Sequence, residues 1–227
     1  MQQIPPEFIL IIAVALAGMI VQAKLSSVFN KYSKVLFPGG MTGRDVAEKM
    51  LRDNGINDVK VIHTPGQLTD HYNPAKRTIN LSDAVYESNS VAAAAVAAHE
   101  TGHAVQHAVG YAPLKMRSAL VPAVNFSSKF SFLVIIAGVL MINTMPAVFW
   151  LGIGLLAVAA LFSIITLPVE YNASRRALAW LDGQHILNSQ QQSQAKEALM
   201  WAARTYLVAA LSAVATIIYY LGFARRN

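Results

Sequence analysis

Ala97–Gly110 reads AAHETGHAVQHAVG, and its centre, His99-Glu100-Thr101-Gly102-His103, is the pattern H-E-x-x-H. On a helix the two histidines stand at i and i+4, so both imidazoles leave one face a turn apart. Two neutral imidazoles at that spacing can share one Zn2+. Glu100 beside them is placed to take a proton from a water on the metal. The plainer reading is a buried helix whose polar residues pair with one another. Burying two histidines and a glutamate with neither partner nor metal is costly, and the uncharged flanks favour the metal. Val91–Ala98, VAAAAVAA, is a strong helix former, with Ser90 as its expected N-cap and Gly110 as its stop.

Upstream of this helix the chain is mixed. Thr42 is an expected cap for a helix near Gly43–Asn54, with Asp45 at its third position and Gly55 as its stop. Asp58–His63 reads as a short strand. In Asp70–Ser82, DHYNPAKRTINLS, the sequence predicts a turn at Asn73-Pro74 and then a strand, Arg77–Leu81. That strand, Arg77, Thr78, Ile79, Asn80 and Leu81, has two readings. It is an ordinary packing strand, or its free edge pairs with an extended peptide substrate and lays the scissile bond over the metal.

Further out, the chain turns apolar. Phe130–Pro168 carries no charge at all and suits two spans of about 20 residues each. Asn143-Thr144-Met145-Pro146 supplies the turn, with Pro146 able to open the second helix. Phe8–Ala23 is a further span, extendable through Ile4–Pro6, and Thr205–Phe223 is a fourth. A cleaved signal peptide fits the first run poorly, because no basic region precedes it. Lys24–Gly40 reads as a basic juxtamembrane stretch, Leu120–Phe126 as broken by Pro122, and Asn188–Gln194 as a Gln/Ser-rich bend. The whole chain of 227 residues is 55% hydrophobic and only 13% charged, against about 25% charged in soluble domains. The net charge of +6 could suggest nucleic acid. No Lys/Arg cluster with interleaved aromatics accompanies it, so a nucleic-acid partner is not expected. Cysteine is absent, so the metal must be held by His and carboxylate.

The donor that completes the site must come from another element. The acids after Glu100 are Glu170, Asp182 and Glu197. His107 is i+4 from His103, but three ligands in line on one straight helix surround a tetrahedral ion poorly, so it reads as a packed neighbour. Glu170 is the best candidate, because it opens a polar helix directly after the uncharged hairpin. Its other reading is an acid favoured by a helix N-terminus. Ser174, i+4 from it, could orient a ligating histidine or Glu170 itself. Tyr72, Tyr171, Arg175 and His185 are candidates for stabilising an oxyanion.

Asp70-His71-Tyr72, Leu81-Ser82, Ala97-Ala98-His99-Glu100-x-Gly102-His103-Ala104-x-Gln106 and Pro168-Val169-Glu170-x-x-Ala173-Ser174 together resemble the membrane-bound neutral zinc metallopeptidases of the YugP type. The resemblance runs from about Phe37 to Arg204, with the motifs in order. It implies a zinc endopeptidase-like membrane protein with His99, His103 and Glu170 as ligands and Glu100 as catalytic acid/base. More distantly the chain looks like the HtpX and CAAX-processing membrane gluzincins. Those carry Asp four residues after the ligand glutamate, where this chain has Ser174.

The expected fold is a mainly α membrane protein with about four transmembrane helices, a zincin-like helical catalytic region and a small α/β insertion. Its parts are an N-terminal span (1–24), a catalytic region (25–129), a transmembrane hairpin (130–168), a second catalytic segment with the third ligand (169–204) and a C-terminal span (205–227). If all four spans are real, every Lys and Arg except Arg225 and Arg226 falls on one side. The positive-inside rule then puts the catalytic region in the cytoplasm, in a bacterial-type plasma membrane. The expected function is a zinc metallopeptidase with one Zn2+ per chain, acting on proteins or peptides held near the lipid bilayer. Its rivals are a non-enzymatic zinc-stabilised scaffold and a site-2-type intramembrane protease, which would need an Asp in a later span. Nothing in the sequence sets an oligomeric state.

Overall fold

The computed structural model describes residues 5–226. In chain order the elements are α1 (Pro6–Tyr32), α2 (Gly43–Asp53), β1 (Lys60–His63), β2 (His71–Asn73), β3 (Thr78–Leu81), α3 (Val91–Ala108), α4 (Ala112–Leu140), α5 (Pro146–Gly183) and α6 (Ser189–Ala224). A short 3-10 turn, Pro38–Gly40, precedes α2. The chain divides into two compact units: Met1–Val21, Met116–Leu167 and Thr205–Asn227 form one, and Gln22–Lys115 with Pro168–Arg204 forms the other.

The first unit is apolar. The helices α1, α4, α5 and α6 are each long and apolar enough to cross a membrane. Ile20, Leu133 and Trp150 are among their exposed side chains, a surface suited to lipid rather than water. Pro146 opens α5, as its fixed φ favours. Small residues bring α4 and α5 together: a Cβ on Gly138 would run into the backbone of Phe149, close approach of the kind that lipid-embedded helices use. Arg226 pairs with Glu7 at 2.7 Å, so one of the two C-terminal arginines is neutralised locally.

Four helices are longer than the sequence suggests. α1 continues past Ala23 through Lys24 and Lys31 to Tyr32; the expected extension through Ile4 lies outside the described residues. α4 runs unbroken through Pro122, and α5 through Pro168. A proline deletes one backbone hydrogen bond, and apolar helices tolerate that where neighbours re-satisfy the freed group. As a result the helical segment joined to the apolar unit begins at Met116, not after Lys129. The expected Gln/Ser-rich bend is instead the first turn of α6. There Asn188 Oδ1 accepts from Gln191 N at 2.8 Å, and Gln191 Oε1 accepts from Asn188 N at 3.1 Å, a reciprocal cap.

The second unit holds the sheet and α3. Thr42 caps α2 as expected: its hydroxyl accepts from Asp45 N at 3.2 Å, and the Asp45 carboxylate accepts from Thr42 N at 2.9 Å. The strand order is β1-β3-β2. β1 runs parallel to β3 in the register Lys60↔Thr78, and β2 runs antiparallel to it with Tyr72↔Ile79. β3 is thus the central strand, paired on both sides and buried along its length. The substrate-strand expectation for Thr78, Ile79, Asn80 and Leu81 therefore fails, because β3 has no free edge. Arg77 is not in the strand; it sits in the turn from β2 at a left-handed φ of 50°. The outer strand on that side is β2.

α3 is packed on nearly all sides. Ser90 caps it by accepting from Ala93 N at 3.2 Å, and Gly110 ends it at φ 66°. The methyl groups of Ala93–Ala98 let α3 lie close to Val46, Met50 and Leu51 of α2 and to Ile79 and Leu81 of β3. This burial places the H-E-x-x-H turn where any unpaired polar group costs free energy.

Candidate metal centre

Two elements of the second unit build the centre. α3 supplies His99 and His103 from one face, with Glu100 next to His99 in sequence, and the Pro168–Gly183 part of α5 supplies Glu170. His99 Nε2 lies 3.2 Å and His103 Nε2 3.4 Å from the same oxygen, Glu170 Oε2. The candidate ligand atoms of these three residues all fall within 4.8 Å of one another. The two rings meet edge to face, with centroids 4.8 Å apart. Glu170 is 1% exposed, His103 7% and His99 9%, so a carboxylate sits in the interior with imidazole nitrogens as its neighbours.

Close helix contact at a glycine makes this geometry possible. A Cβ on Gly102 would lie 2.7 Å from the Ala173 carbonyl oxygen. Only a residue without a side chain lets α3 and α5 approach this far, and the approach carries Glu170 to the histidines.

Polar groups behind the ligands hold their outer ring nitrogens. His99 Nδ1 is 3.0 Å from Ser174 Oγ, and His103 Nδ1 is 3.0 Å from Gln106 Oε1. Ser174 is thus within hydrogen-bond reach of His99, the partner that one of its two expected roles requires. Gln106 is completely buried. The sequence carried a signal for it, since i+3 from His103 lies on the same helix face. Its partners on α5, Val169 and Asn172, were not foreseeable from spacing.

Glu100 is buried, its charge acts on His103, and its Oε2 accepts a hydrogen bond from Tyr72 N at 3.0 Å. Tyr72 thus reaches the site through its backbone, while its hydroxyl is 2.7 Å from His107 Nδ1. His107 packs on Tyr72 and stands outside the three-residue cluster.

The other candidates lie elsewhere. Glu170 is in mid-helix rather than at a helix start, so the N-terminal reading of its charge falls away. Glu197 accepts from the Tyr32 hydroxyl, and Asp182 is exposed. Tyr171 and Arg175 line a groove of about 760 Å³ with Leu178, Lys196 and Met200; Ser174 also borders it. His185 follows the end of α5 in a left-handed turn and is exposed. The helix rise puts it about 20 Å along the axis from Glu170, too far for an oxyanion role.

The donor set fits a cation. Burial works to depress the His103 imidazole, but the hydrogen bond and charge of Glu170, with the charge of Glu100, more than reverse this and hold its pKa above the ordinary 6.5. Positive charge is therefore favoured between these groups. Two imidazoles and one carboxylate are one of the ligand sets of catalytic zinc.

Comparison with known sequences agrees. A family model described as "Putative neutral zinc metallopeptidase" matches residues 7–225. The chain belongs to this family. One member-like relative is the "Putative membrane protease YugP" of Bacillus subtilis (strain 168), 39% identical over 202 residues that cover 88% of each chain. No solved structure matches. The family and the four apolar helices together make this a membrane protein of the zinc peptidase kind.

Proposed function

We propose that the protein is a membrane-bound zinc-dependent peptidase that hydrolyses peptide bonds internally in its substrates, with one Zn2+ held by His99, His103 and Glu170. The observation that carries this reading is the convergence of the three ligand atoms within 4.8 Å, with the charge of Glu100 near enough to act on His103. When bound, zinc supplies Lewis acidity and lowers the pKa of a water ligand toward about 7.

The chain's own residues do the rest. Glu100 takes a proton from the attacking water on its carboxylate and later gives it to the leaving amine. The Tyr72 N–H holds Oε2 of that carboxylate in place. Ser174 keeps the His99 imidazole turned toward the centre. β2, as the outer strand nearest Glu100, is the edge along which an extended peptide would lie. A scaffold site would be closed by a fourth protein ligand, whereas a catalytic site keeps a position open; the cluster among the described residues contains three ligand residues. A cytoplasmic catalytic side is supported by the distribution of Lys and Arg and by the Glu7 partner of Arg226.

Glu100→Gln tests the mechanism. It should lower cleavage of an unfolded protein by about 100-fold or more, the scale of general acid–base catalysis, while zinc content stays at the wild-type level. Full activity in this variant would remove the mechanism.

A further inference from the structure

Gln106 is the buried polar residue that the catalytic scheme leaves with the least obvious task. Its side chain joins three groups on two elements. Nε2 donates to Val169 O at 2.8 Å and to Asn172 Oδ1 at 3.0 Å, and Oε1 lies 3.0 Å from His103 Nδ1. Asn172 Oδ1 also accepts from Arg176 Nε at 2.8 Å, so the Asn172 atom facing Gln106 is an acceptor.

The chemistry of these partners permits one orientation of the amide. A backbone carbonyl cannot donate, and Oδ1 of Asn172 is held as an acceptor by Arg176. Both must meet the NH2 group of Gln106. Its carbonyl oxygen is then the atom left for His103, and an amide oxygen only accepts. His103 Nδ1 must therefore carry the proton, which leaves the Nε2 lone pair free on the side of Glu170 and His99.

We infer that Gln106 is a positioning residue that fixes the tautomer of His103 and presents Nε2 to the metal, itself locked by Val169 and Asn172. Outer partners of metal-bound histidines are commonly carboxylates, carbonyls or water. A carboxylate is excluded at 106, because it would face the Val169 carbonyl and Asn172 Oδ1 with no hydrogens to give. A neutral amide also adds no second negative charge beside Glu170. The same links couple the two ligand-bearing elements, since Val169 directly precedes Glu170 and Asn172 follows it by two residues.

The inference rests on the metal-centre reading, and its test separates the two. The full-length protein is purified in detergent with 15N-histidine, zinc affinity is measured by chelator competition, and the ring nitrogens of His103 are followed by NMR. In the zinc-bound wild type, Nδ1 of His103 should be protonated. A proton on Nε2, with the metal on Nδ1, would overturn the inference without any variant. Gln106→Ala and Gln106→Met should each weaken zinc binding about 10–100-fold, the range for loss of such a partner. Gln106→Glu should not rescue it, although carboxylates often serve this role elsewhere. Asn172→Ala should give a smaller loss, because Val169 O still holds the amide. A core variant away from the site, Met50→Ala, should lower thermal stability yet leave zinc affinity of the folded protein unchanged. Wild-type affinity in both Gln106→Ala and Gln106→Met refutes the positioning role. Failure of the wild type itself to bind zinc would instead defeat the proposed function.

Discussion

Gly102→Ala adds one methyl group where α3 touches α5. Its Cβ would stand 2.7 Å from Ala173 O and 3.2 Å from the Ala173 Cα. Carbon–oxygen contacts normally begin at about 3.3 Å, so the two helices must part by about 0.6 Å. Both opposing groups are backbone, and no side chain can swing aside. Metal–donor distances tolerate about 0.2 Å. Because His99 and His103 flank residue 102 and Glu170 is one turn before Ala173, the displacement falls on the ligand set. Overpacking costs about 1–3 kcal/mol, and alanine recovers about 1 kcal/mol of helix propensity relative to glycine. The metal-free fold should lose only about 0–2 kcal/mol by this balance. Zinc affinity, which gains nothing from helix propensity, should fall about tenfold or more. The assay is competition with a chromophoric chelator, run beside thermal unfolding of the metal-free protein in the same detergent. Gly154→Ala is the control, since its Cβ would meet nothing within 4 Å. Unchanged zinc affinity in a folded Gly102→Ala protein would show that helix separation does not set the centre.

Glu170→Gln should reduce zinc binding and activity together, whereas Asp182→Asn, at an exposed position, should leave both near wild type; metal analysis and peptide cleavage measure the two. Cysteines placed at the exposed Lys60 and Gln190 of this cysteine-free chain should resist an impermeant thiol reagent in intact cells, and labelling of both from outside would invert the proposed orientation. Thr42→Ala should destabilise the folded protein by about 1 kcal/mol through loss of the α2 cap, read as a lower unfolding midpoint. The Asp45 half of that cap is held below its ordinary pKa of 3.8 by the Thr42 backbone N–H and then its hydroxyl. A depressed carboxyl stabilises the fold above its unfolded pKa. The wild-type advantage over Thr42→Ala should therefore persist at neutral pH and shrink as pH falls below about 4.

What could be read from the sequence was whatever repeats at short spacing. His99 and His103 share a face because they are one turn apart. The caps at Thr42 and Ser90 lie within three residues of the groups they satisfy. Glu170 emerged because few acids remained once cysteine was absent and the hairpin uncharged. The misread features depend on distance or on solvent. The Tyr72 N–H meets Glu100 across 28 positions, and no local pattern announces it. β2 has too few residues for an alternation to show, so the sequence left β3 open between an edge strand and a packing strand, and it is the centre of the sheet. Pro122 and Pro168 looked like breaks by the rules for helices in water, but both lie inside continuous helices. Tyr171 and His185 were named by chemistry alone, and helix geometry carries them to the outer face of α5 and beyond its end.

β2 is only three residues long, and strand alternation turns the N–H and C=O of Tyr72 alone toward the outside. On the proposed reading, an extended polypeptide laid there gains one backbone hydrogen bond, at the Tyr72 carbonyl, because Glu100 already holds the Tyr72 N–H; it is worth about 1 kcal/mol. That is less than the roughly 4 kcal/mol of a millimolar complex. So brief a contact reads little of a polypeptide's sequence. On the same proposal, a substrate held in the same membrane gains instead an effective concentration on the millimolar scale. On the proposed reading selection is a question of dwell time: a chain is cut when a slack stretch lingers at the site, and a well-folded neighbour with the same residues is passed over.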